Sequence, residues 1–149
     1  TRFHPNFYKS GKVCLSILNT WKGDLWSSCQ TIKSILLILS SIFDNESLLY
    51  EPGINKNHHD FEKYHRIIHH KNIDIAILSA FEKKITPMFD IFIPTMTNIF
   101  LENYENLKDI IKKNIKVNEL LFTSIYNMNT HIEYKSLFNR LNNVCMKLK

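Results

Sequence analysis

Apolar residues recur along most of this chain at helical rather than strand spacing. Ile32, Ile35, Leu36, Leu39 and Phe43 repeat at i, i+3, i+4 and predict a helix over residues 30–43 with one buried face, its start capped by Ser28 or Thr31. Phe61, Tyr64, Ile67, Ile68, Ile75, Leu78 and Phe81 predict a second helix over 61–85, with the run His69-His70-Lys71-Asn72 weakening its middle. The polar stretch 44–60, broken at Glu51-Pro52-Gly53, separates the two. Thr86-Pro87 opens the next segment, since Pro is tolerated at a helix start. Further helices are expected at about 87–114, 117–127 and 132–147, with Pro94 kinking or splitting the first of them. Before residue 20 the pattern shortens. Arg2-Phe3 and Lys12 to Leu15 read as short extended pieces around a Lys9-Ser10-Gly11 turn, where Gly11 is free to take positive φ. Residues 19–29, with Trp21 and Trp26, read as an ordered loop in which the indoles anchor to the core. There is no internal repeat.

With 149 residues and 44% hydrophobic side chains, the chain is long and apolar enough for one packed core. The net charge of +5 admits an acidic partner, but the lysines are dispersed, and Lys108 to Lys116 alternates with Ile as a solvated helix face would. No groove-reading or base-stacking module is visible, so nucleic acid is not an expected ligand. Cys14, Cys29 and Cys145 are too few and too far apart for a CxxC zinc site, and they fit a reducing compartment, cytosolic or nuclear. Cys29, at a helix start, and Cys145, in an amphipathic stretch, read as packing residues. The best apolar run, Ile35 to Leu39, is far short of the ~20 residues of a membrane span, and no signal peptide is visible, so no membrane is expected. The chain opens on Thr1 with a dense motif at once, which leads us to expect a fragment of a longer protein.

That motif is His4-Pro5-Asn6, with Cys14 eight residues after Asn6, Gly11 between them and Trp26 beyond. The string RFHPNFYKSGKVCLSIL resembles the active-site segment of the ubiquitin-conjugating (E2) enzymes. Cys-Leu-Ser-Ile-Leu-Asn-Thr-Trp at 14–21 and Glu51-Pro52-Gly53 resemble more closely the large hybrid E2/E3 subgroup, since most small E2s carry Asp where Ser16 stands. The resemblance is strong over residues 1–54 and weaker over 55–112. It implies an α+β fold. Residues 1–85 would be the C-terminal part of a UBC-like core, mostly helical because the family's N-terminal helix and first three strands have no counterpart before His4. Residues 86–149 would be a helical extension, and at most two or three short strands would fall within residues 1–20, with edges near 2–4 unpaired.

The resemblance also implies the chemistry. Cys14 would be the nucleophile that takes ubiquitin from an E1 enzyme as a thioester and yields it to a substrate lysine; a cysteine gives an acyl adduct that is both reactive and transferable. Asn6 would offer its side-chain amide to the tetrahedral oxyanion, or hold the loop. Glu51, before Pro52, would orient the incoming amine or ease its deprotonation, or else serve as a loop carboxylate. His4 is the nearest base by sequence, but the family uses this residue structurally. Cys14 is expected at or near the surface with the Asn6 side chain in reach. The implied partners are ubiquitin, E1, an E3 ligase (a contact put in doubt by Ser27-Ser28-Cys29) and a protein lysine. No cofactor is called for. His65 and His69 stand i, i+4 with His58-His59 upstream, but no further residue completes a metal set, and a solvated His-rich face is the simpler reading. The competing reading is a non-catalytic UBC-like remnant that binds ubiquitin or another protein; retention of Cys14 favours the enzyme.

Overall fold

A computed structural model of the chain describes residues 1–83 and 87–149. The boundary expected between residues 85 and 86, and Thr86 in the segment start Thr86-Pro87, lie outside the described residues. The chain forms two compact units, residues 1–68 with 122–128 and residues 69–121 with 129–149.

In the first unit, helix α1 spans Ile32–Ser41. Thr31 starts it. Its Oγ1 accepts from the Ser34 amide at 3.2 Å while the Ser34 Oγ accepts from the Thr31 amide at 3.3 Å, so two otherwise orphaned donors are satisfied reciprocally. The helix stands where the periodicity puts it, but its expected buried face is corrected. No residue of α1 is fully buried, and Ile32, Leu36 and Phe43 are 76%, 59% and 63% exposed. Only the side bearing Ile35, Ile38, Leu39 and Ile42 is half-buried, because little of this unit lies against the helix. The core of the unit is instead His4, Cys14, Leu15, Ile17, Leu48, Tyr64, Ile67 and Ile68. The last three lie on helix α2, Phe61–Lys71, at the spacing the sequence predicts. The extended pieces expected before residue 20 are reduced to isolated bridges, His4 with Phe7 and Phe7 with Val13.

In the second unit the helical path continues past Lys71 as a π-helix, Asn72–Leu78, and then as α3, Ser79–Glu82. The change begins at Asn72, the end of the run expected to weaken this helix. It rotates the apolar face, so that Ile73 is buried and Ile75 is 41% exposed, contrary to the α-helical expectation. The π segment is pinned by charge. Arg140 sets Nη1 2.5 Å from Asp74 Oδ1 and Nη2 2.7 Å from Glu82 Oε2, and Lys71 Nζ lies 2.6 Å from Asp74 Oδ2. A 3-10 turn, Pro87–Phe92, leads into α4, Ile93–Lys113, with Pro94 in its first turn where the missing N–H costs nothing. Helix α5, Tyr134–Leu148, buries Tyr134, Leu137, Leu141, Val144 and Cys145.

The helix expected over 117–127 is a β-hairpin. β1, Asn118–Thr123, pairs with β2, Met128–Glu133. Leu121 and Ile125, four apart, fit either period, but Leu121 and Thr123 are buried while Leu120 and Phe122 are exposed, the alternation of a strand. Thr123 Oγ1 donates to the Ile125 carbonyl at 3.0 Å, which gives the backbone an alternative to the helix. Tyr126 and Asn127 then turn the chain at positive φ, 59° and 47°. No helix among the described residues is long and apolar enough to cross a membrane.

Candidate active site

The segment 4–20 is a tight loop closed on itself. The Phe7 amide donates to the His4 carbonyl at 3.0 Å, and Gly11, at φ +90, lets its amide reach the Tyr8 carbonyl at 2.9 Å. Two bonds tie Asn6 to Cys14. The Cys14 amide donates to the Asn6 carbonyl at 2.9 Å, and the Asn6 side-chain Nδ2 donates to the Cys14 carbonyl at 2.6 Å. Spacing alone does not single out Thr20, yet its Oγ1 accepts from the Leu15 amide at 2.9 Å and donates to the Val13 carbonyl at 2.7 Å, clasping the chain on either side of Cys14.

His4 is fully buried, and its Nδ1 accepts from the Asn6 amide at 3.0 Å. Burial pushes its pKa below the ordinary histidine value against the opposing pull of Asp44 and the Ile42 carbonyl, so the ring is neutral near pH 7 and serves as a fixed acceptor. This is the structural role expected for it.

Cys14 lies at a cavity of about 290 Å³ lined also by Asn6, Tyr8, Trp21, Glu51 and Pro52. All three residues singled out from the sequence, Cys14, Asn6 and Glu51, therefore border one space. One expectation is corrected: Cys14 is only 3% exposed, not at the open surface. The paired bonds to Asn6 hold the loop against it, and buried Leu15 and Ile17 fix the chain just beyond, while Cys14 still borders the cavity. The indoles are corrected too. Trp21 and Trp26 are 50% and 45% exposed and anchor nothing deep; Trp21 forms cavity wall, and the Trp26 amide donates to Asn19 Oδ1 at 3.2 Å. Cys29 is exposed rather than packed, whereas Cys145 is buried as expected.

Glu51 is half-buried, and the Tyr126 hydroxyl donates to its Oε2. Burial, then the hydrogen bond to the Glu51 carboxylate, hold the Tyr126 pKa far above the ordinary phenol value, so it stays a donor at any physiological pH. The Arg2 guanidinium stacks between the rings of Tyr8, 3.9 Å from the centroid, and Tyr126, at 4.1 Å. No local pattern signals Tyr126, since a residue 75 positions from Glu51 in an expected helix has no reason to be paired with it.

His58, His59 and Asp60 bring ligand-type atoms within 4.8 Å of one another, a grouping the residue spacing leaves incomplete. Asp60 is committed elsewhere: its Oδ2 accepts from Ser124 Oγ at 2.6 Å and from the Ile125 amide at 3.0 Å. The His65 and His69 rings are likewise engaged, His65 Nδ1 with the Phe61 carbonyl and His69 Nδ1 with the Tyr134 hydroxyl, each at 2.8 Å.

A cysteine at a walled cavity, tied to an Asn-bearing loop and faced by a carboxylate, can take and release an acyl group. Comparison with known proteins decides the family, because the ubiquitin-conjugating enzyme family model matches residues 1–76. The chain belongs to the ubiquitin-conjugating enzymes. That membership carries a UBC-like α+β fold, and the described elements are mostly helical with one small sheet. Ubiquitin-conjugating enzyme E2 Z of Homo sapiens is 33% identical over 150 residues, which cover 99% of this chain and 42% of that protein. E2 Z of Xenopus tropicalis is 31% identical over 151 residues, covering 99% and 48%. The human dual E2 ubiquitin-conjugating enzyme/E3 ubiquitin-protein ligase BIRC6 is 39% identical over 61 residues, covering 38% of this chain and 1% of that protein. The chain thus spans just under half the length of its E2 Z relatives.

Proposed function

We propose that the protein is a ubiquitin-conjugating transferase that carries ubiquitin as a thioester on Cys14. The observation that carries this reading is the convergence of Cys14, Asn6 and Glu51 on one cavity in a member of this family. In the first step the Cys14 thiolate attacks the carbonyl carbon of the ubiquitin C-terminal glycine on an E1 enzyme. A new C–S bond forms, and the E1 sulfur leaves and takes up the proton that Cys14 gave up. In the second step a neutral lysine amine attacks the same carbon. The tetrahedral oxyanion collapses, the C–S bond breaks, Cys14 leaves as thiolate, and the surplus amine proton passes to solvent. The Asn6 amide holds the loop through the Cys14 carbonyl and turns its second hydrogen to the oxyanion. Glu51 receives the incoming amine.

Ubiquitin, E1, a protein lysine and an E3 ligase are the partners of this reading. The similarity to the E2/E3 hybrid BIRC6 covers 38% of this chain, whereas the similarity to the E2 Z proteins runs along almost the whole chain, which supports work with a separate E3. Three free cysteines accord with a reducing cytosolic or nuclear compartment. The test is charging with E1, ATP and ubiquitin. Wild type should form an adduct that thiol reagents cleave, Cys14→Ser one that resists them, and Cys14→Ala none, while Cys29→Ala charges normally. Charging lost in Cys29→Ala but kept in Cys14→Ala would move the nucleophile elsewhere.

A further inference from the structure

The family match ends at residue 76, yet the carboxylate facing Cys14 is held by a residue far beyond it. Tyr126 sits in the hairpin turn, and its hydroxyl donates to Glu51 Oε2. The turn is built to deliver it. Asp60, 2% exposed, grips Ser124 and the Ile125 amide, the Asn127 amide closes on the Ser124 carbonyl at 3.2 Å, and Tyr126 is left at φ 59, ψ 6. An aromatic residue rarely adopts that backbone conformation; where one does, the surroundings impose it, and such positions gather at functional sites. The ring is then fixed on both sides, by the Arg2 guanidinium at 4.1 Å and by an edge contact to Tyr64 at 6.0 Å between centroids.

We infer that Tyr126 is a positioning residue for lysine transfer: it locks the Glu51 carboxylate against the Cys14 cavity through Oε2 and leaves Oε1 to meet the incoming lysine amine. This rests on the transferase reading above. Tyr126 does not line the cavity itself, so it acts through Glu51 and has no part in thioester formation, where no amine enters. Two hydrogen bonds are at stake in sequence, Tyr126 to Glu51 and Glu51 to the amine, and the first matters to catalysis only while the second exists.

That dependence sets the test. Wild type, Tyr126→Phe, Glu51→Gln and the double variant are charged with ubiquitin, and single-turnover discharge of the thioester onto free lysine is followed from pH 6 to 9, with thermal midpoints recorded for each. Phe keeps the ring that stacks on Arg2 and removes only the hydroxyl. Tyr126→Phe should charge at the wild-type rate and discharge about three- to tenfold more slowly, the scale of one net hydrogen bond. In the Glu51→Gln background the same substitution should add less than about twofold, because contacting residues that act in series are not additive. Incorporation of 3,5-difluorotyrosine at position 126 keeps ring and hydroxyl, so the fold is retained even where Phe is not tolerated. The more acidic phenol should shift the discharge pH profile in the Glu51 protein and not in Glu51→Gln. Equal slowing by Tyr126→Phe in both backgrounds, or an unmoved profile with the fluorinated residue, would overturn the inference. A wild-type protein that forms no adduct at Cys14 would instead overturn the proposed function, and this inference with it.

Discussion

Removal of the Asn6 side chain separates two jobs that one amide group performs. In Asn6→Ala the Nδ2 bond to the Cys14 carbonyl, 2.6 Å long, is lost, while the backbone bond from the Cys14 amide to the Asn6 carbonyl at 2.9 Å remains. A buried carbonyl that loses its donor costs about 1–3 kcal/mol. At roughly 2–4 °C per kcal/mol for a chain of this size, the thermal midpoint should fall by about 2–12 °C. The kinetic effect has a different scale. Loss of an oxyanion donor lowers a rate by about 10²–10³-fold, and it should fall on aminolysis. Thioester exchange uses a thiolate, an intrinsically strong nucleophile, whereas lysine, with an unperturbed pKa of about 10.4, is mostly protonated near neutrality. The assay is E1-dependent charging followed by single-turnover discharge of the isolated thioester onto lysine, run beside a thermal melt. The expected result is near-normal charging, a modest loss of stability and a discharge slower by two orders of magnitude or more. Discharge within about threefold of wild type, with the midpoint lowered, would leave Asn6 as a loop clasp only and refute its part in the chemistry.

Other outcomes depend on the same geometry. Gly23→Ala should destabilise the loop beside the cavity and slow charging, because a Cβ there would stand 2.9 Å from the Ser16 Cβ at φ +138; unchanged melting and charging would refute it. Arg140→Met should lower the thermal midpoint by several degrees, since it leaves Asp74 and Glu82 without their shared guanidinium, while discharge of preformed thioester should be unaffected. Stability should also fall on acidification. Burial lowers the pKa of His4 and of His70 in the folded state, so the unfolded chain binds protons first; stability is complete above the unfolded value near 6.5 and declines as pH drops below it. Asp74, whose burial is outweighed by hydrogen bonds from Arg140 and Lys71, is depressed and adds a second decline below about pH 4. In urea titrations from pH 8 to 3 the first decline should be smaller in His70→Gln, with His4 supplying the remainder, and an unchanged decline would refute the part given to His70.

The site was legible where chemistry and chain order coincide. His4, Asn6 and Cys14 lie within eleven residues, and a loop that short leaves few ways to arrange them. The helices at 32–41, 61–71 and 134–148 were legible because their apolar spacing is strict. What period alone does not contain is what stands opposite a face, so the exposure of Ile32 and Leu36 and the burial of Cys14 went unread. The hairpin is not legible because Leu121 and Ile125, four apart, satisfy a helical and an alternating pattern alike, and a single side-chain bond from Thr123 helps decide between them. With the hairpin went Tyr126, whose partner is set by tertiary structure and by no local signal.

The π-helix at Asn72–Leu78 has a consequence for how this chain tolerates changes in length. Each i→i+5 ring encloses one residue more than an α-turn, so the segment holds slack that an ordinary helix lacks. A one-residue deletion within an α-helix swings every downstream side chain by about 100° and scrambles the buried face. Here the same deletion can be absorbed by tightening to α geometry, with Ser79–Glu82 keeping their orientation and Glu82 still meeting Arg140. Among the described helices, this is the stretch where a codon could be lost with the smallest disturbance to the residues downstream.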